Sequence, residues 1–261
     1  ALPILENVPP HKPCADGPQA PQTECKLKRH TMFSAKTYAA RRNMLRTKIG
    51  SGIILLPGNS LSPNNYPNNA YYFRQDSSFR YYFGLNTPSL AGLIDADTGE
   101  EALYGDDFTV EDIIWTGPQP TLRELGAEVG VTATFPMAEL EKRLRKAVSL
   151  GRKIHYLPPY RGETKLQLSA LLGIKPELLH DYKSVELMFA VAEMREKKSA
   201  EEVEAMERAF LIGYHMHTLA MHMCHPGVIE REIAGAIEGI AKSSGSGDRK
   251  STRLNSSHLI R

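Results

Sequence analysis

The chain has 261 residues, 41% of them hydrophobic and 24% charged, with a formal net charge of +2 at pH 7. That length can bury a substantial core, the composition is average for a globular protein, and the near-neutral balance does not point to nucleic acid or an anionic membrane as partner. Three widely spaced cysteines, Cys14, Cys25 and Cys224, make no disulfide framework. No apolar run reaches the roughly 18 residues of a membrane span, and no secretory leader is recognisable, so the expected compartment is the cytoplasm.

Residues 1–31 hold six prolines and no periodicity, a composition that builds neither helix nor strand. We expect a disordered or non-native extension there, with Met32 as the natural start. From Met32 the pattern changes. Ser34 is placed to cap a helix carrying Tyr38, Met44, Leu45 and Ile49 at helical spacing, with Gly50 as its stop. GIILLPGN (52–59) is a short apolar run closed by a turn and reads as a buried strand. Residues 89–107 read as two strands joined by a turn at Asp97–Gly99. Residues 121–130 and 137–151 read as helices, 153–159 as a strand and 165–173 as a helix. Helices and strands alternate, so residues 32–182 are expected to form one α/β domain with a mixed sheet.

From residue 183 the architecture changes to helices alone. Ser184 is expected to cap a helix running to about Met194. Ser199 and Glu202 form a capping box for a longer helix that Pro226-Gly227 terminates. Ile229, Ile233, Ile237 and Ile240 lie in register on a third helix. A second domain is therefore expected over 183–244. Residues 245–261 show no periodicity and carry a net charge of +3, from Arg249, Lys250, Arg253 and Arg261 against Asp248. We expect a disordered tail.

The most conspicuous chemistry-bearing stretch is HMHTLAMHMCHPG, with His215, His217, His222, Cys224 and His225. On a wheel at 100° per residue, Val203, Met206, Phe210, Gly213, His217, Ala220, Met221 and Cys224 share one face, expected to be buried. His215 and His222 lie on the opposite face, about 10.5 Å apart along the axis. Neither pair has the i, i+3 or i, i+4 spacing that places two ligands on one metal, and a tetrahedral zinc site needs three or four converging ligands. The expectation is a core His217, a His225 that offsets the helix C-terminal dipole, and two solvated histidines; a histidine-based metal binder is the weaker alternative. The second stretch, YYFRQDSSFRYYFGL (71–85), gathers aromatics around Arg74, Asp76 and Arg80. Together with Trp115 in IIWTGPQP, these are the candidate substrate or subunit contacts. A helical turn with internally paired charges is the alternative. No serine or cysteine stands in a recognisable nucleophile setting.

The stretch NAYYFRQDSSFRYYFGLNTPSLAGLID, followed by IIWTG, resembles the N-terminal domain of aminopeptidase P, the Xaa-Pro aminopeptidases. Residues 194–241 resemble the opening helices of the family's pita-bread metallopeptidase domain: Lys198, Ser199, Glu202 and Val203 match one motif, and Pro226, Gly227, Glu230, Glu232, Ile233 and Ala234 another. The resemblance implies a creatinase/aminopeptidase P N-terminal fold followed by the start of an incomplete pita-bread α+β domain. It implies removal of an N-terminal residue that precedes proline, with two Mn2+ ions activating a hydroxide, and a peptide partner with proline second. Neither nucleic acid nor membrane is implied as a partner; a homo-oligomer is. The family's ligand set is two Asp, one His and two Glu, yet after Ser199 this sequence holds one aspartate, Asp248. No position inherits a metal-ligand or catalytic role. DRKSTRLNSSHLIR resembles a translated adapter tail, so the expectation is a fragment cut before its active site and inactive alone. A non-catalytic peptide- or protein-binding module of the same fold is the alternative.

Overall fold

The structure, a computed structural model, describes residues 31–66 and 69–244. The expectations for segments 1–30 and 245–261 lie outside the described residues.

The core is built on three consecutive antiparallel strands, β1 (Ile53–Pro57), β2 (Ala91–Asp95) and β3 (Glu101–Tyr104). Two short outer strands add in parallel, β5 (Ile154–His155) beside β1 and β4 (Ala133–Phe135) beside β3, giving the order β4-β3-β2-β1-β5. The sheet is mixed, as expected. Every residue of β2 is buried, as are four of the five in β1, so both faces must be covered.

Alternation along the strands divides the interior into two layers. Ile54, Leu56, Ile94 and Leu103 face one, with Tyr38 and Leu45 of α1 (Ala35–Ile49), Phe79, Tyr82 and Phe83 of α2 (Ser77–Phe83), and Leu122 and Leu125 of α4 (Leu122–Glu128). Leu187, Ala190, Val191 and Met194 of α7 (Val185–Glu196) complete that layer. Ile53, Leu55, Leu93, Ala102 and Tyr104 face the other, against Leu140, Leu144 and Ala147 of α5 (Met137–Ser149) and Leu168 of α6 (Gly162–Leu172). The result is an α/β/α sandwich. Gly92 makes room for the first layer: a Cβ there would come within 2.0 Å of the Phe83 ring.

Local sequence explains the helix ends. Ser34 Oγ accepts from Thr37 N at 3.2 Å and starts α1, and Gly50 at φ 79° stops it. The inner face of α1 differs from expectation at two places. Met44 is exposed, while Arg42 is fully buried. Arg42 is tolerated because its guanidinium is satisfied three ways: Nε donates to Glu101 at 2.7 Å, Nη1 to Tyr82 O at 2.9 Å and Nη2 to Val129 O at 3.0 Å. Two elements went unanticipated. One is α3 (Val110–Thr116), whose Thr109/Asp112 capping box is itself a sequence signal; the other is β4, three residues long.

After α7 come α8 (Ala200–Met223) and α9 (Glu230–Ser243), packed chiefly against each other. The face of α8 expected to be buried is not: Val203 is 46% exposed, Phe210 62% and Met221 71%, Cys224 is also exposed, and His217 is half-covered. Met216 is the one residue of α8 that is fully covered, and Ala241 the one of α9. The reason is packing supply. Among the described residues, α8 has a helix on one side and no sheet behind it.

Candidate functional site

Ligands of open α/β sheets gather beyond the carboxyl ends of parallel strands, which here means the loops after β1 and β5. Both lead to the YYFRQDSSF stretch. Asn59, just past β1, is buried and donates from its backbone N to Gln75 Oε1 at 2.6 Å. Its Nδ2 donates to Arg74 O at 2.9 Å and to the Tyr160 hydroxyl at 3.3 Å. Gln75, also buried, donates to Thr87 O at 2.7 Å and accepts from Asp76 N at 2.8 Å. A Cβ at Gly58 would sit 2.6 Å from Leu90 O, so the chain passes here only as glycine. Tyr160, after the Pro158-Pro159 pair, closes the arrangement. Burial pushes its phenol pKa up, the Asn59 hydrogen bond pulls it back, and the Asp76 charge raises it again.

Of the four candidate residues, Arg74, Asp76 and Arg80 fall together on this segment, and Trp115 lies apart. Asp76 caps α2, accepting from Ser78 N at 2.9 Å and Phe79 N at 2.8 Å. Arg74 and Arg80 point to solvent. The motif therefore alternates in purpose. Gln75, Ser78 and Phe79 turn inward and hold the loops, while Tyr71, Tyr72, Arg74 and Arg80 stay at the surface. Trp115 belongs to α3, and its side chain lies outside the described residues; its helix neighbours Val110 and Ile114 are exposed. Asn59 and Tyr160 were missed by sequence reasoning. Neither carries a local signal, because their role arises when two loops distant in sequence meet.

The space enclosed by Asn59, Asp76, Leu157, Tyr160 and Thr164 is about 30 Å³. That admits a water molecule, not a peptide, whose sites run to hundreds of cubic ångströms. A larger groove of about 470 Å³ lies at the opposite end of the sheet, beside Asp95, Glu100, Arg143 and Arg152. Its charges answer one another: Arg152 pairs with Asp95 at 2.6 Å and Arg143 with Glu100 at 2.7 Å. Burial pushes the Asp95 carboxyl pKa up, but Arg152 and the Thr98 and Asp97 amides outweigh it and hold it at about 2. This is a structural lock on the Asp95–Glu100 turn.

The donor chemistry does not fit a divalent metal. Among the described residues no three His, Cys, Asp or Glu side chains converge as a ligand set. On α8, His215 and His222 are exposed, and His225 Nδ1 lies 3.1 Å from Pro226 O beyond the helix end. A dimanganese centre of carboxylates therefore has no home in these residues, and no step is derived through one. None of the described helices is long and apolar enough to cross a membrane.

The fold and site thus define a class: a mixed-sheet α/β/α domain whose YYFRQDSSF motif organises loops and whose described residues bring no metal-ligand set together. Comparison with known proteins makes the class specific. Residues 38–156 match the family model "Aminopeptidase P, N-terminal domain". It is 27% identical over 215 residues to the Xaa-Pro aminopeptidase of Escherichia coli (strain K12), a match covering 78% of this chain and 48% of that protein. The fold matches zinc-substituted Escherichia coli aminopeptidase P in complex with product, with TM-score 0.68 and 22% identity, over 82% of this chain and 50% of that one. It matches the Pseudomonas aeruginosa aminopeptidase PepP with the same TM-score and coverage at 21% identity. The chain spans about half the length of the relatives it matches.

Proposed function

We propose that this chain is the N-terminal half of a manganese-dependent Xaa-Pro aminopeptidase, an enzyme that releases the residue preceding proline from a peptide. In this reading residues 32–182 form the family's N-terminal domain, and residues 183–244 open the pita-bread peptidase domain, which continues beyond this sequence; its first helix, α7, packs back onto the N-terminal sheet. The observation that carries it is the pairing of a family match at 38–156 with coverage of only 48% of the Escherichia coli enzyme. The reaction needs metal-activated water. This chain's described residues supply no donor set for it, so their contribution is framework and surface. Arg74, Arg80 and Trp115 are proposed to contact substrate or a neighbouring subunit in the complete cytoplasmic enzyme, with Asp76 fixing the segment that presents the first two.

Two measurements test this. Purified 1–261 with Mn2+ should release no N-terminal residue from an Xaa-Pro peptide above a mock preparation; turnover would overturn the half-enzyme reading. Long-read sequencing of the source locus across codon 244 should find the frame continuing into two Asp, a His and two Glu. A stop after the present tail would instead favour a binding module of the same fold.

A further inference from the structure

The α8–α9 hairpin is fastened to the sheet domain at one end. Along their length the two helices pack chiefly on each other, and α8 is joined to α7 by three residues, Lys197 to Ser199. Lys197 and Ser199 are extended, at φ −93°, ψ 123° and φ −72°, ψ 164°. By contrast α7 is firmly set, with four residues in the core and Tyr81 Oη donating to Met194 O at 3.1 Å.

What grips α8 is its first turn. Thr37 Oγ1 donates to Glu201 at 2.9 Å. Glu202 is used twice: Oε2 accepts from Ser199 N at 2.9 Å, closing the helix's own cap, and Oε1 lies 3.2 Å from Arg41 Nη2. Arg41 is 7% exposed. Its guanidinium lies 4.1 Å from the Tyr81 ring centroid and 4.6 Å from that of Phe33, and its Nη1 donates to Tyr81 O at 3.0 Å. Nη2 has no aligned hydrogen bond. Its closest anion is Glu202, held by charge at an unfavourable angle. Rotating α8 away would strand a buried cation, and rotating it slightly would leave the capping box intact.

We propose that α8–α9 is a lever hinged at Lys197–Ser199, its resting angle set by the Arg41–Glu202 latch. The device does not depend on the proposed activity. If that reading holds, the latch also fixes the angle at which the peptidase half leaves the N-terminal domain.

The full chain tests it by electron–electron distance measurement. One spin label goes on Cys224, at the far end of α8, and the other on Ser149→Cys at the end of α5, with Cys14→Ser and Cys25→Ser to remove the other thiols. Glu202→Gln keeps an acceptor for Ser199 N and removes the charge facing Arg41. It should broaden the distance distribution about twofold as further angles become populated, with circular dichroism unchanged. Thr37→Val should broaden it less. A Glu202→Gln distribution as narrow as the parent's overturns the latch. Should that variant fail to fold, Glu202→Asp decides: it keeps a capping carboxylate, as Asp112 does for α3, but withdraws it from Arg41, so the distribution should widen, and one as narrow as the parent's again overturns the latch.

Discussion

Arg42 and His155 are buried polar side chains that sequence pattern gives no reason to expect inside. Arg42 sits under α1 and joins three separate segments, reaching Glu101 in β3, the carbonyl ending α2 and the carbonyl after α4. Replacing it with alanine leaves Glu101 without its partner and two carbonyls unpaired. Arg42→Ala should lower stability by about 3–5 kcal/mol, read as a shift of the urea midpoint at constant slope; a loss below about 1 kcal/mol would mean water reaches the site and this account of α1 is mistaken. His155 works at the edge strand. Its Nε2 lies 3.1 Å from Ser51 O, a carbonyl, so that nitrogen carries the proton; Nδ1 lies 2.7 Å from the Ser184 hydroxyl, whose one proton it shares with Glu186 Oε2 at 3.0 Å. Burial pushes its pKa below the ordinary 6.5, and the Lys153 charge adds to this against the opposing pulls of the Ser51 carbonyl and Glu186. A depressed folded pKa means the unfolded chain takes up the proton first as pH falls. The stability His155 confers is complete above about pH 6.5 and is lost progressively below it. His155→Gln should flatten the stability-against-pH curve between about pH 5 and 7 relative to the parent. An equal slope in both proteins would show that the ring titrates as if free.

Among the secondary elements, the sequence was legible at most of its local signals, the Thr109/Asp112 cap of α3 being the one passed over. The Ser34, Ser184 and Ser199 caps, the Gly50 stop and the strand pair about the Asp97–Gly99 turn all stand where spacing and turn chemistry put them. The Gln75-Asp76-Ser77 segment was recognisable as special, but not its division into loop-holding and surface residues, because that depends on Asn59 arriving from β1 and Tyr160 from β5. The most instructive discrepancy is α8. Its wheel correctly groups Val203, Met206, Phe210 and Met221, yet periodicity says only that a face is apolar, never that something covers it. Among the described residues this face is covered only in part, with Phe210 and Met221 left in the open. Hence two apolar substitutions should part company. Leu144→Ala in α5, where the side chain is fully buried, should cost about 2–5 kcal/mol. Phe210→Gln in α8 should change stability by no more than about 0.5 kcal/mol. Comparable losses from thermal or urea melts would place Phe210 in a core and contradict the exposed hairpin face.

Taken as a whole, the described chain is an α/β/α sandwich with a helical hairpin outside it. Both apolar layers close without α8 or α9: their members run from Tyr38 to Met194, and α7 is the last element to contribute. Cooperativity follows buried contacts, so the sandwich should keep its fold when the hairpin is removed. Lys197 and Lys198 are exposed at the junction. Brief trypsin treatment should cut there early and leave a piece ending at Lys197 or Lys198. That piece loses Thr37–Glu201 and Arg41–Glu202 but no core side chain. Its melt should remain a single sharp transition, displaced downward by a few degrees, since about 1 kcal/mol shifts a domain of 150 residues or more by about 2–4 °C. A broad melt, or a piece that trypsin degrades further at once, would mean that the sandwich borrows stability from the hairpin. The boundary between the two units would then lie elsewhere than at Lys197–Ser199.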